Sequence, residues 1–154
     1  MVRVLWFAWM FMASLSFADM PPTCQILQVS GESVTLKAPK PSIVLFHNTS
    51  NTDIWLTHPV KDPSLSAGWT SLLSMGNWSS LALSDASFEI ACIESKPGHE
   101  QSVPCEGMLA ICQWSEVVYP NNTTGTFWIG EDKSQDLVMM AIMQRGFKLP
   151  SPKQ

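Results

Sequence analysis

The sequence predicts an all-β protein: a disulfide-stabilised antiparallel β-sandwich with a short C-terminal helix. Three observations carry that expectation. Short apolar runs are separated by Pro-, Gly-, Ser- and Asn-bearing turns along most of the chain, the pattern of a sandwich or barrel. Four cysteines follow what reads as an export leader, and an even count in a small exported domain reads as two disulfides. Near the C-terminus alone the periodicity becomes helical. The 154 residues suit one domain, and 45% apolar with 14% charged residues argues for a packed core over disorder.

Residues 1–18, MVRVLWFAWMFMASLSFA, have the layout of a signal peptide. Arg3 is the lone cation, the run from Val4 to Ala13 is apolar, and Ser16 and Ala18 put small residues before a cleavage point at Asp19. A membrane anchor is the rival, but spanning a bilayer takes about 20 apolar residues. No second run of that length follows, so no stable span is expected after signal removal. Residues 19–154 then form the single β-sandwich domain. Removing Arg3 leaves 8 basic against 13 acidic groups, a net of −5. A nucleic-acid partner is not expected, because neutralising phosphates needs Lys and Arg.

The elements follow in order. Ser33–Ala38 alternates with period two, and Pro39 and Pro41 end it. Ser42–His47 is a continuous β-rich run, the polar cluster 48–52 reads as a turn, and Asp53–His58 reads as the return strand of that hairpin. Pro59 stops it, since proline donates no ladder bond. Residues 60–77 read as a long connection containing the run Trp69–Leu73. Trp78–Leu83, Phe88–Glu94, Met108–Trp114 and Thr126–Ile129 are strand-like, with Glu94–Pro104 a polar loop. At the end, Ser134 offers an N-cap, Leu137, Met140, Ala141 and Gln144 share a helical face, and Gly146 sits where a C′ glycine belongs. A helix over about 135–145 results, with a buried strand as the competing assignment. The Met139, Met140 and Met143 group reads as core filler in preference to a soft-metal site.

Four cysteines allow three connectivities. Bridging Cys92 to Cys105 would staple the polar loop between them and leave Cys24 for Cys112. Zinc would need closer spacing than the gaps here.

The chemistry-bearing residues are sparse. His47 and His58 end the two strands of the expected hairpin, and with Asp53 they are candidates for a divalent cation; an ordinary hydrogen bond at each is the plainer assignment. No serine sits in a Gly-x-Ser-x-Gly elbow, no carboxylate pair is marked by spacing, and disulfide cysteines cannot be nucleophiles. No catalytic residue, enzyme activity or cofactor is therefore expected. Of five tryptophans after the leader, Trp55, Trp114 and Trp128 lie in expected strands and read as core. Trp69 and Trp78, flanked by Gly and Ser, read as candidate contact residues; the plainer assignment caps the sandwich edge. Asn48, Asn77, Asn121 and Asn122 begin glycosylation sequons, which in a bacterium are polar turns.

Several stretches together look familiar: Leu56-Thr-His-Pro59, Ser66-Ala-Gly-Trp-Thr-Ser71, Gly76-Asn-Trp-Ser-Ser80, Cys92-Ile-Glu-Ser-Lys-Pro-Gly-His-Glu-Gln101, Pro104-Cys105 and Cys112-Gln-Trp114. From about Cys24 to Pro150 the chain resembles the enhanced-entry protein B family of Legionella and related intracellular gammaproteobacteria, the block from Cys92 being its most specific part. The resemblance implies a periplasmic or secreted bacterial protein, with a large repeat-containing partner, that supports host-cell entry or intracellular survival. It implies no catalytic residues, and it raises His99 and Trp69 as site candidates. The expectation is thus a binding or scaffolding protein with an envelope protein partner, using the 60–80 connection and the 95–105 loop through Trp69, Trp78 and His99. The alternative is a cell-wall carbohydrate-binding domain or hydrolase that stacks sugar rings of peptidoglycan on the same tryptophans.

Overall fold

A computed structural model describes residues 20–59, 69–120 and 123–151. The expected leader therefore lies outside the described residues, as do 60–68 and the sequons at Asn121 and Asn122. Ten strands and one helix make up the described fold: β1 (Gln25–Leu27), β2 (Ser33–Lys37), β3 (Ser42–Asn48), β4 (Ile54–His58), β5 (Trp69–Leu73), β6 (Trp78–Leu83), β7 (Ser87–Glu94), β8 (Gln101–Val103), β9 (Leu109–Ser115), β10 (Phe127–Lys133) and α1 (Gln135–Gln144). Sheet A runs β1-β9-β3-β6-β10 and sheet B runs β2-β7-β4-β5, with β8 also paired to β7. All pairings are antiparallel. The all-β sandwich with a short C-terminal helix is the observed architecture.

The expected hairpin between Ser42–His47 and Asp53–His58 does not form. β3 pairs with β6 and β9 in sheet A, whereas β4 pairs with β5 and β7 in sheet B. Residues 49–53 are therefore a passage from one sheet to the other. The run Trp69–Leu73 inside the expected connection is a full strand, paired residue by residue with β4. The expected loop after Glu94 is shorter than its polar composition implied, because Gln101–Val103 folds back onto Cys92–Glu94.

Two cores stand on either side of sheet A. Between the sheets, Phe46, Leu81, Leu83 and Ile111 of sheet A meet Leu36, Ile54, Leu56, Leu73 and Ile90 of sheet B. On the outer face, Ile43, Leu45, Trp78, Cys112 and Trp114 are covered by Val138 and Ile142 of the helix and by Phe147. β3 and β6 run through the middle of sheet A and are buried on both faces. That is why their sequences are continuous apolar and small residues in place of an alternation.

α1 has the expected bounds to within a residue but turns a different face inward. Val138 and Ile142 are buried, while Leu137 and Met140, on the expected face, are exposed. Among the expected core methionines only Met139 packs against the outer core; Met140 and Met143 face solvent. The helix lies close to β10 because Gly130 makes room: a Cβ there would come within 3.3 Å of the Ala141 Cβ. Gly146 takes φ +84° at C′, its N–H bonding the Met143 carbonyl and the Phe147 N–H the Ile142 carbonyl, which satisfies the orphan carbonyls of the last turn. Ser134 occupies the N-cap position, but its side chain makes no cap bond.

Two disulfides form with the pairing that loop stapling favoured, Cys24–Cys112 and Cys92–Cys105. The first lies on the outer side of sheet A, the second at the base of the β7–β8 hairpin. No helix among the described residues is long and apolar enough to cross a membrane.

Candidate functional site

The sequence candidates separate in space. His58 pairs with Trp69 in the β4–β5 ladder, whereas Ile54 at the other end of β4 pairs with Glu94, where the His99 loop begins. At about 3.3 Å per residue, His58 and Ile54 are separated by about 13 Å along this five-residue strand, which puts Trp69 and the His99 loop at opposite ends of sheet B. Trp78 directly follows the β5–β6 turn, at the His99 end, but is withdrawn from its surface. It is 4% exposed, and its ring lies flat on His47, centroids 4.2 Å apart and planes within 5°. A surface spanning all three residues is therefore not what the fold assembles.

The two other histidines are also kept apart. His47 follows Ile43 and Leu45 on the outer face of sheet A. His58 continues the inward row of Ile54 and Leu56 in sheet B, stacked on Phe88 at 4.1 Å, with its Nδ1 2.6 Å from the Glu89 carbonyl oxygen. Sheet A stands between the two rings. Among the described residues no group of three or more His, Cys, Asp or Glu could hold a metal ion.

What the fold does assemble is one end of the sandwich. Three segments distant in sequence meet there: the passage 49–53, the β5–β6 turn 74–77, and the β7–β8 loop 95–100. Asp53 joins them. Its carboxylate accepts the Met75 N–H at 2.9 Å and its carbonyl accepts the Ser95 N–H at 2.9 Å. Asn48 holds the first segment from inside, its amide donating to the carbonyls of Thr52 and Leu73 and its Oδ1 accepting from the Ser50 N–H and hydroxyl. Sequons at Asn48 and Asn77 are thus occupied by structural hydrogen bonds.

The 74–77 turn is held on its far side by Asp132. The carboxylate accepts from the Ser74 N–H at 2.7 Å, the Ser74 hydroxyl at 2.9 Å and the Asn77 amide at 3.0 Å. The β10 ladder slips in register between Gly130 and Lys133, and Asp132 sits there at φ +49°. Such irregularities re-aim a side chain, here across the edge from sheet A to the turn leaving sheet B. Burial pushes the Asp132 carboxyl up, but the Asn77 and Ser74 donors, with Lys133 nearby, outweigh it and hold it below its ordinary 3.8.

The third segment is a short, stapled hairpin. Lys96-Pro97-Gly98-His99 closes with the His99 N–H on the Lys96 carbonyl at 2.8 Å and Gly98 at φ +76°. This is a type II turn, in which proline presets the second residue and only glycine takes the third without strain. Lys96 pairs with Glu94 at 2.8 Å, and that hydrogen bond holds the Glu94 carboxyl below its ordinary 4.5 against the desolvation that opposes it; Gln101 and Thr52 also donate to it. The Cys92–Cys105 bridge closes the base. At the rim, Met75 is 59% exposed, and Lys96, Pro97 and His99 are exposed as well.

Sequence reasoning missed Met75 and Asp53 as parts of this end, and it placed Trp55 in the core. Trp55 is half-buried on the outer face of sheet B, outside both cores. It stands in a cross-strand row with Ile93 and Leu72, beside Thr57 and Thr70, whose hydroxyls are 3.3 Å apart. Its alternation with buried Ile54 and Leu56 was the available signal. Neither a family model, nor a curated protein, nor a solved structure matches the chain.

Proposed function

We propose that this is an exported bacterial binding or scaffolding protein of the enhanced-entry protein B kind, periplasmic or secreted. In this reading it supports host-cell entry or intracellular survival by holding an envelope protein, for which a large repeat-containing chain is the first candidate. The docking surface is the loop end around Asp53, with His99 and Met75 at its rim. The observation that supports the reading is the convergence of three short loops fixed by side-chain to backbone bonds and a disulfide. Loops ordered before binding lose little entropy on binding, and scaffolded loops are where proteins carry recognition. The two disulfides fit an oxidising compartment.

Site-specific photo-cross-linking in the cell tests this. A cross-linker at position 75 or 99 is expected to capture one dominant envelope protein, and a cross-linker at Lys37, at the far end of sheet B, is expected to capture none of it. Equal capture from all three positions, or only self-cross-links, overturns the proposed surface.

A second reading is favoured by one observation, the Ile93–Trp55–Leu72 row bordered by threonine hydroxyls. A tryptophan on a sheet face is a stacking surface for a sugar ring, so the ligand would be a cell-wall glycan. Co-sedimentation with peptidoglycan, abolished by Trp55→Ala and unaffected by cross-linker substitution at 99, would move the site from the loop end to this face.

A further inference from the structure

The methionines of α1 are not used by the core as a group. Met139 packs partly against the outer core, but Met140 is 42% and Met143 60% exposed. On a helix, residues three and four apart are surface neighbours, with about 5–6 Å between Cβ atoms. Met143, three residues after Met140 and four after Met139, is therefore beside both, and the three side chains branch from one patch of the helix surface. Leaving two flexible apolar side chains in water gains the fold nothing. What a thioether offers in water is a neutral, polarisable sulfur donor, which selects soft cations such as Cu(I) over hard ones.

The surroundings suit a cation. Asp136, exposed on the same helix, precedes Met139 by three residues and Met140 by four, which brings a carboxylate to the edge of the patch. Arg145, the nearest cation in sequence, is drawn away: its Nη1 donates to the Trp128 carbonyl at 3.4 Å and its guanidinium lies 5.9 Å from the Phe127 ring. No thiol competes, because all four cysteines are in disulfides.

We propose that Met139, Met140 and Met143 form a surface site for a soft monovalent cation, Cu(I) in the cell and Ag(I) as its air-stable substitute. Three neutral sulfurs hold the ion without a thiolate, so it exchanges readily. The site is independent of the loop end, which lies off the helix.

Protein labelled with ¹³C in the methionine methyl groups and titrated with silver nitrate in chloride-free buffer tests this. Met75 is an internal reference, being an exposed methionine on a turn away from the helix. The methyl signals of 139, 140 and 143 are expected to shift together, to saturate at one Ag(I) per chain, and to do so at least tenfold more tightly than Met75. The Met140→Leu/Met143→Leu variant keeps helix propensity and is expected to lose that step with its fold intact by circular dichroism. Equal affinity at Met75 and the helix, retention of the stoichiometric step in the variant, or equivalent shifts with Zn(II) overturns the proposal.

Discussion

The two outer faces of this sandwich differ in what lies on them. Sheet A carries α1, the residues around Phe147 and the segment 20–24 on its outer side; sheet B carries no layer of described residues on its own. The consequence is written along the strands. β2 and β7 of sheet B alternate buried and exposed residues over most of their length, while β3 and β6 of sheet A are buried nearly throughout. One-sided and two-sided burial thus leave different hydrophobic patterns, period two in one sheet and an unbroken run in the other. The same residue type takes its meaning from this: Trp114 on the covered face is 2% exposed, and Trp55 on the bare face is half-buried.

The comparison breaks most directly at those two tryptophans. Trp114→Ala should cost about 3–5 kcal/mol by chemical denaturation, the range for deleting a buried aromatic, and Trp55→Ala about 1 kcal/mol. Equal losses would mean that sheet B's outer face is covered after all. The disulfides sharpen it next. Replacing Cys24 and Cys112 with alanine should cost about 1.5 kcal/mol more than replacing Cys92 and Cys105, because loop-closure entropy grows with the separations of 88 and 13 residues. A larger loss for the shorter loop would show that the hairpin end is more critical to the fold than the covered face. The smallest effect lies where the sheets meet. Asp132 is held below its ordinary 3.8, so it stabilises the fold above that pH and loses this contribution as pH falls through its lowered value. Asp132→Asn should cost about 1 kcal/mol near neutrality, and the gap to the unsubstituted protein should close as the pH falls below about 3.8. A gap independent of pH would show that the carboxylate's charge contributes nothing to the clasp.

Much of the strand pattern was legible. Period two in Ser33–Ala38, the unbroken Ser42–His47 and the Gly146 stop each correspond to an observed element, because local periodicity reports which faces are covered. Sheet membership was not legible. A polar cluster of five residues between two apolar runs reads as a hairpin turn, and nothing local distinguishes it from a passage between sheets; the distinction lies in Asn48 bonding to Leu73, 25 residues away. β8 has the composition of a loop, and pairing with β7 beside a disulfide makes it a strand. The helix offered two apolar faces, and the choice of Val138 and Ile142 was made by Gly130 and the outer core of sheet A. Of the loop end, the 95–105 loop and the 60–80 connection that holds residues 74–77 were singled out from the sequence; their meeting with the passage 49–53 was not legible, since these segments become neighbours only once the sheets have been assigned.

The order of the cysteines carries a further consequence. The bridges are nested: the first cysteine along the chain joins the last, and the middle two join each other. In a chain that emerges N-terminus first into an oxidising space, joining each thiol to the next one available gives Cys24–Cys92 and Cys105–Cys112 instead. Both are non-native, and the second would tie β9 to the base of the hairpin. From such a start the native bonds are reached only by thiol–disulfide exchange through mixed-disulfide intermediates, whereas a chain in which β9 has already met β1 brings Cys24 and Cys112 together directly.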